Sequence, residues 1–207
     1  MKKTLLLTLI ALLCAGMLFA AESMKYTRYG KIFNSGEFTL KGTSCDLDSS
    51  GNRSGEESSF TLSVHAGEFY MDTPEARLLK KADGKLYVID DSSKSVMVMS
   101  SDMQTLIQYP PFIEPSSTGN AKLDGRNLYY EKVKADGKEV VYWFNGNDLY
   151  AIEDVEDSQR NALFVSSFSE KADSSLYSIP TGYEVIDLSS FGAGFNPASM
   201  GGAGFGY

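Results

Sequence analysis

The chain alternates apolar and polar residues in short stretches separated by turns that contain glycine or proline. Alternation at every second residue is typical of antiparallel strands with one buried face. Nine stretches of this kind are predicted as strands, at residues 37–41, 60–64, 77–81, 85–89, 129–133, 140–144, 149–152, 163–168 and 183–188.

Three turns between these stretches predict β-hairpins. The letters Ala-Asp-Gly-Lys occur twice, at 82–85 and at 135–138, and Asn145-Gly146 follows the second pair of stretches. Asp-Gly and Asn-Gly between apolar stretches are strong hairpin signals. A flat sheet of this many strands would leave long exposed edges. We therefore predict a mainly β fold in which a curled antiparallel sheet forms an incomplete barrel, or half-barrel.

Helix signals are few, so we expect one or two short helices that act as a lid. The best candidate is 101–109, where Asp102 is a candidate cap and Pro110 ends the pattern. Met103, Leu106 and Ile107 share one face of this predicted helix. Residues 26–34 fit a helix and a strand equally well.

Residues 1–21 have the features of a secretory signal peptide. Lys2 and Lys3 form a basic start, and an apolar stretch then leads to Ala20 and Ala21, near which we expect cleavage. That stretch is shorter than the roughly 20 residues that a membrane-spanning helix needs. We expect a periplasmic or secreted protein with no transmembrane segment in its mature chain.

The rest of the chain is predicted to form a single domain, at 22–190, and a tail. The tail, 191–207, is rich in glycine and has too few side chains to build a core, so we expect it to be disordered. Its four aromatic residues are candidates for binding an envelope protein partner.

Charge and cysteine content narrow the function classes. The net charge of −8 disfavours binding to nucleic acid and to anionic membrane surfaces. Cys45 is the only cysteine beyond the predicted signal peptide, and we expect it to be buried and to form no internal disulfide.

The sequence lacks the residues that most catalytic sites need. His65 is the only histidine, and the alternation of its strand places it on the solvent side. The densest acidic group is Glu153, Asp154, Glu156 and Asp157, which we place in a solvated loop. We therefore expect no enzyme activity, no catalytic residues, no metal site and no cofactor.

The segment 46–57 leaves an alternative open. It has acids or hydroxyls at loop positions 1, 3 and 5, glycine at position 6 and glutamate at position 12, as in a helix–loop–helix calcium site. Arg53 occupies a position that is usually aliphatic, and both flanks look like strands. A polar hairpin loop is the preferred interpretation.

An apolar excess is the main functional signal. Residues 86–89 and 96–99 are apolar at every position, whereas a sheet with one solvated face should alternate. Something must cover the second face, either the 101–109 helix or a hydrophobic ligand. The candidate lining of a ligand site is Leu86, Val88, Met97, Met99, Leu106, Ile107, Phe112 and Trp143.

Three segments resemble a known family. They are Gly-Lys-Leu-Tyr-Val-Ile-Asp at 84–90, Ser-Lys-Ser-Val-Met at 93–97 and Leu-Tyr-Ser-Ile-Pro-Thr-Gly-Tyr at 176–183. With the signal peptide and the run of strands, they resemble the outer-membrane lipoprotein carrier superfamily, and within it an uncharacterised exported bacterial domain. The resemblance covers 39–188. It implies an incomplete barrel whose mouth is closed by helices and whose apolar concavity holds acyl chains in the carriers.

Two function classes follow from these features. The first is an exported, non-catalytic binding protein that shelters a lipid or acyl chain in the bacterial envelope. The second is an envelope structural or protein-interaction module, with a core filled by its own side chains and no small-molecule ligand.

Overall fold

The computed structural model describes residues 25–100, 115–135, 138–156 and 159–188. These ranges contain an α-helix, α1 (Lys25–Ser35), and a 3-10 helix (Ser174–Tyr177). They also contain twelve strands: β1 Glu37–Leu47, β2 Arg53–His65, β3 Glu68–Asp72, β4 Arg77–Lys80, β5 Lys85–Asp90, β6 Ser95–Ser100, β7 Ser117–Leu123, β8 Arg126–Ala135, β9 Lys138–Asn145, β10 Asp148–Glu156, β11 Gln159–Ser169 and β12 Glu184–Asp187. The predicted signal peptide, the predicted 101–109 helix and the predicted tail lie outside the described residues.

All twelve strands belong to one sheet, in the order β12-β6-β5-β4-β3-β2-β1-β11-β10-β9-β8-β7. Neighbouring strands are antiparallel, except that β12 runs parallel to β6. The sheet is not closed into a barrel, and the predicted mainly β fold is confirmed. Each of the three predicted hairpins is present, as β4–β5, β8–β9 and β9–β10. Strands β3, β6 and β7 lie outside the nine predicted stretches.

One half of the sheet curls strongly. The backbone N–H of Asp124, in the β7–β8 turn, donates to the carbonyl of Gly51, in the β1–β2 turn, at 2.9 Å. In a flat sheet β1 and β8 would be about 19 Å apart, because four strand spacings separate them. Register shifts in β1 and in the β9–β10 pair mark bulges, which increase local twist. At one of these bulges a Cβ on Gly42 would lie 2.2 Å from the carbonyl oxygen of Phe164, so glycine is required there.

Helix α1 packs on one face of the sheet, which we name the front face. Its Tyr29 and Phe33 are buried against aromatic residues of the strands. The ring of Phe33 lies 4.9 Å from that of Phe38 and 5.6 Å from that of Phe168, both edge-on. Such pairs contribute about 0.5–1.5 kcal/mol each beyond area burial. The segment that fitted both a helix and a strand is therefore helical because its aromatic side chains cover the sheet.

The N-terminus of α1 is held by a buried acid. The backbone N–H of Lys25 donates to Oε1 of Glu131 at 3.0 Å, and Glu131 is fully buried on the front face. A carboxylate at a helix N-terminus is stabilised by the unpaired backbone donors and by the helix dipole.

Among the described residues, no helix is long and apolar enough to cross a membrane.

The opposite face, which we name the back face, carries two further apolar clusters. The first lies inside the curl and consists of Cys45, Leu47, Leu123, Leu128, Val141, Trp143, Ala151, Ala162 and Phe164. The second consists of Tyr70, Leu79, Ile89, Val96, Val98 and Tyr177. Cys45 is buried, as predicted, and burial raises the pKa of its thiol. The 3-10 helix therefore covers the back-face side chains of β5 and β6, which accounts for one side of their apolar excess.

Candidate functional site

Two rows of side chains cross the front face from β1 towards β12. Residues that are directly paired between strands share a face of the sheet, so the strand register defines both rows. The first row is Leu40, Leu62, Met71, Leu78, Val88, Met97 and Ile186. The second row is Phe38, Val64, Phe69, Lys80, Leu86 and Met99.

Burial decreases along the first row, whereas in the second row Leu86 is still buried and only Lys80 and Met99 are partly open. Leu40 and Leu62, under α1 and its neighbours, are almost fully buried. Leu78 and Val88 are only partly buried, and Ile186, at the sheet edge, is 42% exposed. We name the outer part of the two rows the apolar patch; it consists of Leu78, Leu86, Val88, Met97, Met99 and Ile186. The patch spans four strands, or about 14 Å across the sheet.

The charged side chains on the front face differ in sign between the two ends of the patch. Lys80 is the single charged member of the two rows and lies beside Leu86. Asp90 and Glu184 occupy front-face positions at the other end of the strands, where both pair with Ser95. Hydrogen bonds from the Ser92 and Ser93 hydroxyl and backbone N–H groups lower the pKa of Asp90 to about 2, so this carboxyl group is ionised at neutral pH.

The structure brings together four of the eight predicted lining residues. Leu86 is paired with Met99 and Val88 with Met97, so all four share the patch. The patch also includes Leu78 and Ile186, which sequence reasoning missed. β4 contains two consecutive leucines, and only its register with β5 shows that Leu78 is the one on the front face, whereas Ile186 reaches the patch through the parallel pairing of β12. The other predicted residues Leu106, Ile107 and Phe112 lie outside the described residues.

Trp143 is not part of the patch. Its neighbour Tyr142 points to the front face, so Trp143 points to the back-face cluster inside the curl. There its indole N–H donates to Oε2 of Glu153 at 2.8 Å. The other oxygen of Glu153 accepts a hydrogen bond from Nε of Arg160 at 2.6 Å.

Our prediction that the acidic group at 153–157 is a solvated loop is wrong for its first two residues. Glu153 and Asp154 lie in β10 and are 2% and 1% exposed. Their strand is central in the sheet, and both of its faces are covered. Glu153 is held there by an indole and a guanidinium, which local sequence does not reveal because they come from β9 and β11.

The hydroxyl cluster beneath the 3-10 helix has a structural role. The Tyr177 hydroxyl donates to Oγ of Ser63 at 3.1 Å, and the backbone N–H of Asp173 donates to Oγ1 of Thr39 at 2.9 Å. Burial raises the pKa of Tyr177 to about 12. His65 is exposed, as predicted, and its Nδ1 lies 2.7 Å from a carboxylate oxygen of Glu37. These contacts attach the 3-10 helix to β1 and β2.

The segment 46–57 forms the end of the β1–β2 hairpin. Asp48 accepts hydrogen bonds from the backbone N–H groups of Ser50 and Asn52, both at 2.8 Å, and these bonds lower its pKa. Both flanks are strands rather than helices. Within the ranges that the structure describes, no group of three or more His, Cys, Asp or Glu residues is arranged to hold a metal ion.

Comparisons with known proteins identify no family. No protein-family model and no curated protein matches the chain. Among solved structures, LprF from Mycobacterium bovis is similar with a TM-score of 0.43 and 8% identity, over 73% of this chain and 92% of that chain. Two crystal forms of PNGF-II have TM-scores of 0.37 and 0.39 at 10% identity, over 74% of this chain and 31% and 32% of theirs. These are distant likenesses, and the family resemblance remains a prediction.

Proposed function

We propose that this protein is an exported, non-catalytic binding protein that shelters the apolar part of a lipid or acyl chain in the bacterial envelope. The apolar patch is the ligand site. The observation that supports this proposal is the loss of cover along the first row, which is almost fully buried at β1 and β2, partly open at β4 to β6 and exposed at β12. Partly open apolar rows that continue from a core are suited to binding an apolar molecule.

The energetics favour a flexible aliphatic ligand. Burying one CH₂ group contributes about 0.8 kcal/mol, so ten of them with half of their surface covered contribute about 4 kcal/mol. Met97 and Met99 provide adaptable, polarisable side chains that fit chains of different shape. A ligand of this class therefore needs no complementary rigid shape in order to bind.

The location of the site is tested by two substitutions one residue apart in β12. Ile186 is paired with Met97 on the front face, whereas Val185 is paired with Val96 on the back face. Both are exposed, at 42% and 59%. Ile186→Asp is expected to weaken binding of a fluorescent long-chain fatty acid about tenfold, because it places a charge in the patch. Val185→Asp, the matched control, is expected to change binding less than about twofold.

Native mass spectrometry of the full chain, purified from its own envelope, provides an independent measurement. We expect co-purifying lipid in the wild-type protein and less of it in Ile186→Asp. Absence of co-purifying lipid together with no uptake of the fluorescent fatty acid would contradict the proposal. Equal losses in Ile186→Asp and Val185→Asp would contradict the location of the site.

The second candidate function is an envelope protein-interaction module. Ile179, Val185 and Ile186 are the exposed large hydrophobic residues of the described ranges, and the last two lie in β12 at the sheet edge. A module of this kind would bind its partner equally well after delipidation. Pull-down of the same envelope partner by wild type and by a 191–207 deletion would show that the predicted tail is not needed for that contact.

A further inference from the structure

Lys80 occupies an unusual position in the sheet. Its strand neighbour Leu79 is fully buried in the back-face cluster, so Lys80 points to the front face. There it is paired with Phe69 on one side and with Leu86 on the other, in a row that is otherwise apolar. A lysine in such a row covers apolar surface with its methylene groups and holds its ammonium at the border of that surface.

The ammonium of Lys80 differs from those of nearby lysines in its partners. Nζ of Lys41 forms an ion pair with Asp173 at 3.6 Å, and Nζ of Lys81 forms an ion pair with Glu68 at 3.6 Å. Both ion pairs lie on the back face. Over the described ranges, no carboxylate lies within ion-pair distance of Lys80. Lys80 is only partly buried, so part of its side chain is accessible at the surface of the front face.

The charges on the front face give the patch a direction. Lys80 lies in the row of Leu86, and Asp90 lies four residues further along β5, a separation of about 13 Å. Glu184 lies at the same end as Asp90, since both pair with Ser95. A ligand with one anionic end is therefore attracted to the Lys80 end of the patch and repelled from the other end.

From this arrangement we infer that the ligand is a single-chain amphiphile with an anionic headgroup, a carboxylate or a phosphate, which Lys80 binds while the chain lies along the apolar patch. This inference rests on the proposed function and specifies the ligand class of the same site. Charge-assisted hydrogen bonds from an ammonium to anionic oxygen are short and strong, so a single lysine is enough to discriminate charged from neutral headgroups.

The test compares ligands of equal chain length that differ only in the headgroup. A long-chain fatty acid, the corresponding alcohol and the corresponding alkyl phosphate are titrated at pH 8 into the full-length protein and into three variants. Lys80→Met removes the charge but keeps an apolar stem, and Lys80→Arg keeps the charge. Lys85→Met is the matched control, because it removes the same charge from the adjacent strand on the back face. Acetate and inorganic phosphate are added as competitors without a chain.

We expect Lys80→Met to weaken binding of the fatty acid and the alkyl phosphate about tenfold and of the alcohol less than about twofold. Lys80→Arg and Lys85→Met should bind like wild type, and acetate and inorganic phosphate should not compete. Equal binding of acid and alcohol to wild type, or equal losses in Lys80→Met and Lys85→Met, would overturn the inference and leave the proposed function intact. Competition by inorganic phosphate alone would show a free-anion site and also overturn it. If none of the long-chain ligands bound wild type, both proposals would fall.

Discussion

Replacement of Glu153 by leucine tests the role of the buried carboxylate inside the curl. Leucine keeps most of the side-chain volume but removes the charge and both hydrogen-bond acceptors. In the native protein these acceptors bind the indole N–H of Trp143 at 2.8 Å and Nε of Arg160 at 2.6 Å. The substitution therefore leaves one buried donor and one partly buried cation without their partner.

The expected loss of stability follows from burial. An unpaired buried N–H costs about 1–3 kcal/mol, and breaking a fully buried ion pair costs about 3–5 kcal/mol. The side chain of Arg160 is 27% exposed, so water screens part of the second cost. We expect Glu153→Leu to lower the free energy of unfolding by about 2–4 kcal/mol. Glu153→Gln retains an acceptor for the indole and is expected to cost about 1–2 kcal/mol.

Urea unfolding followed by tryptophan fluorescence measures both losses, because Trp143 is the single tryptophan of the chain and lies in the network. The control is Glu170→Gln, which removes an ion pair with Arg28 whose side chains are 60% and 57% exposed. It is expected to change stability by less than about 0.5 kcal/mol. Our account of the network would be refuted if Glu153→Leu destabilised the protein no more than Glu170→Gln.

Three further predictions concern other buried groups. Tyr29→Phe should cost about 1–3 kcal/mol in urea unfolding, because the buried backbone N–H of Leu149 donates to the Tyr29 hydroxyl at 2.7 Å. Cys45 should react with a thiol reagent at least about 100-fold more slowly in the native protein than in denaturant, because it is buried and its thiol pKa is raised. The pKa of Tyr177 is about 12 in the folded protein, above its ordinary value of 10.0, so its contribution to stability is present below pH 10 and is lost as pH rises towards 12. Between pH 9 and pH 11 the free energy of unfolding should therefore fall by about 1 kcal/mol more in wild type than in Tyr177→Phe.

Each of these three predictions has its own control. Tyr87→Phe removes a hydroxyl that forms no hydrogen bond among the described residues, so a loss equal to that of Tyr29→Phe would contradict the first prediction. Similar reaction rates of Cys45 in native and denatured protein would contradict the second. For the third, parallel pH curves in wild type and Tyr177→Phe would show that the hydroxyl titrates at its ordinary value.

Local sequence was sufficient for the hairpins. The Asp-Gly turn at 83–84 connects two short apolar stretches, and the pairing of β4 with β5 follows from the turn. The same signal at Asp124-Gly125, where both residues have positive φ, would have revealed the β7–β8 hairpin. It was missed because β7 is an edge strand whose only apolar side chains are those of Ala121 and Leu123, too few to show a pattern.

Four of the six residues of the apolar patch were also within reach of the sequence. Leu86, Val88, Met97 and Met99 were selected because their runs are apolar on both faces, and the structure places all four on one surface. Trp143 was also in the predicted lining, but the local sequence does not determine the face of a strand on which a residue lies. Its face depends on the register of β9 with β10 and on the curl, both of which are properties of the assembled sheet.

By itself the sequence determined what is local: the strands, their tight turns and the apolar excess, since these depend on residues a few positions apart. Tertiary structure alone decided which distant residues meet. Parallel pairing brings Ile186 to Met97, the curl encloses Glu153 with Trp143 and Arg160, and the register of β3, β4 and β5 places Lys80 within an apolar row. Such contacts depend on strand order and register, which are decided by the burial of the whole sheet rather than by any single stretch of the chain.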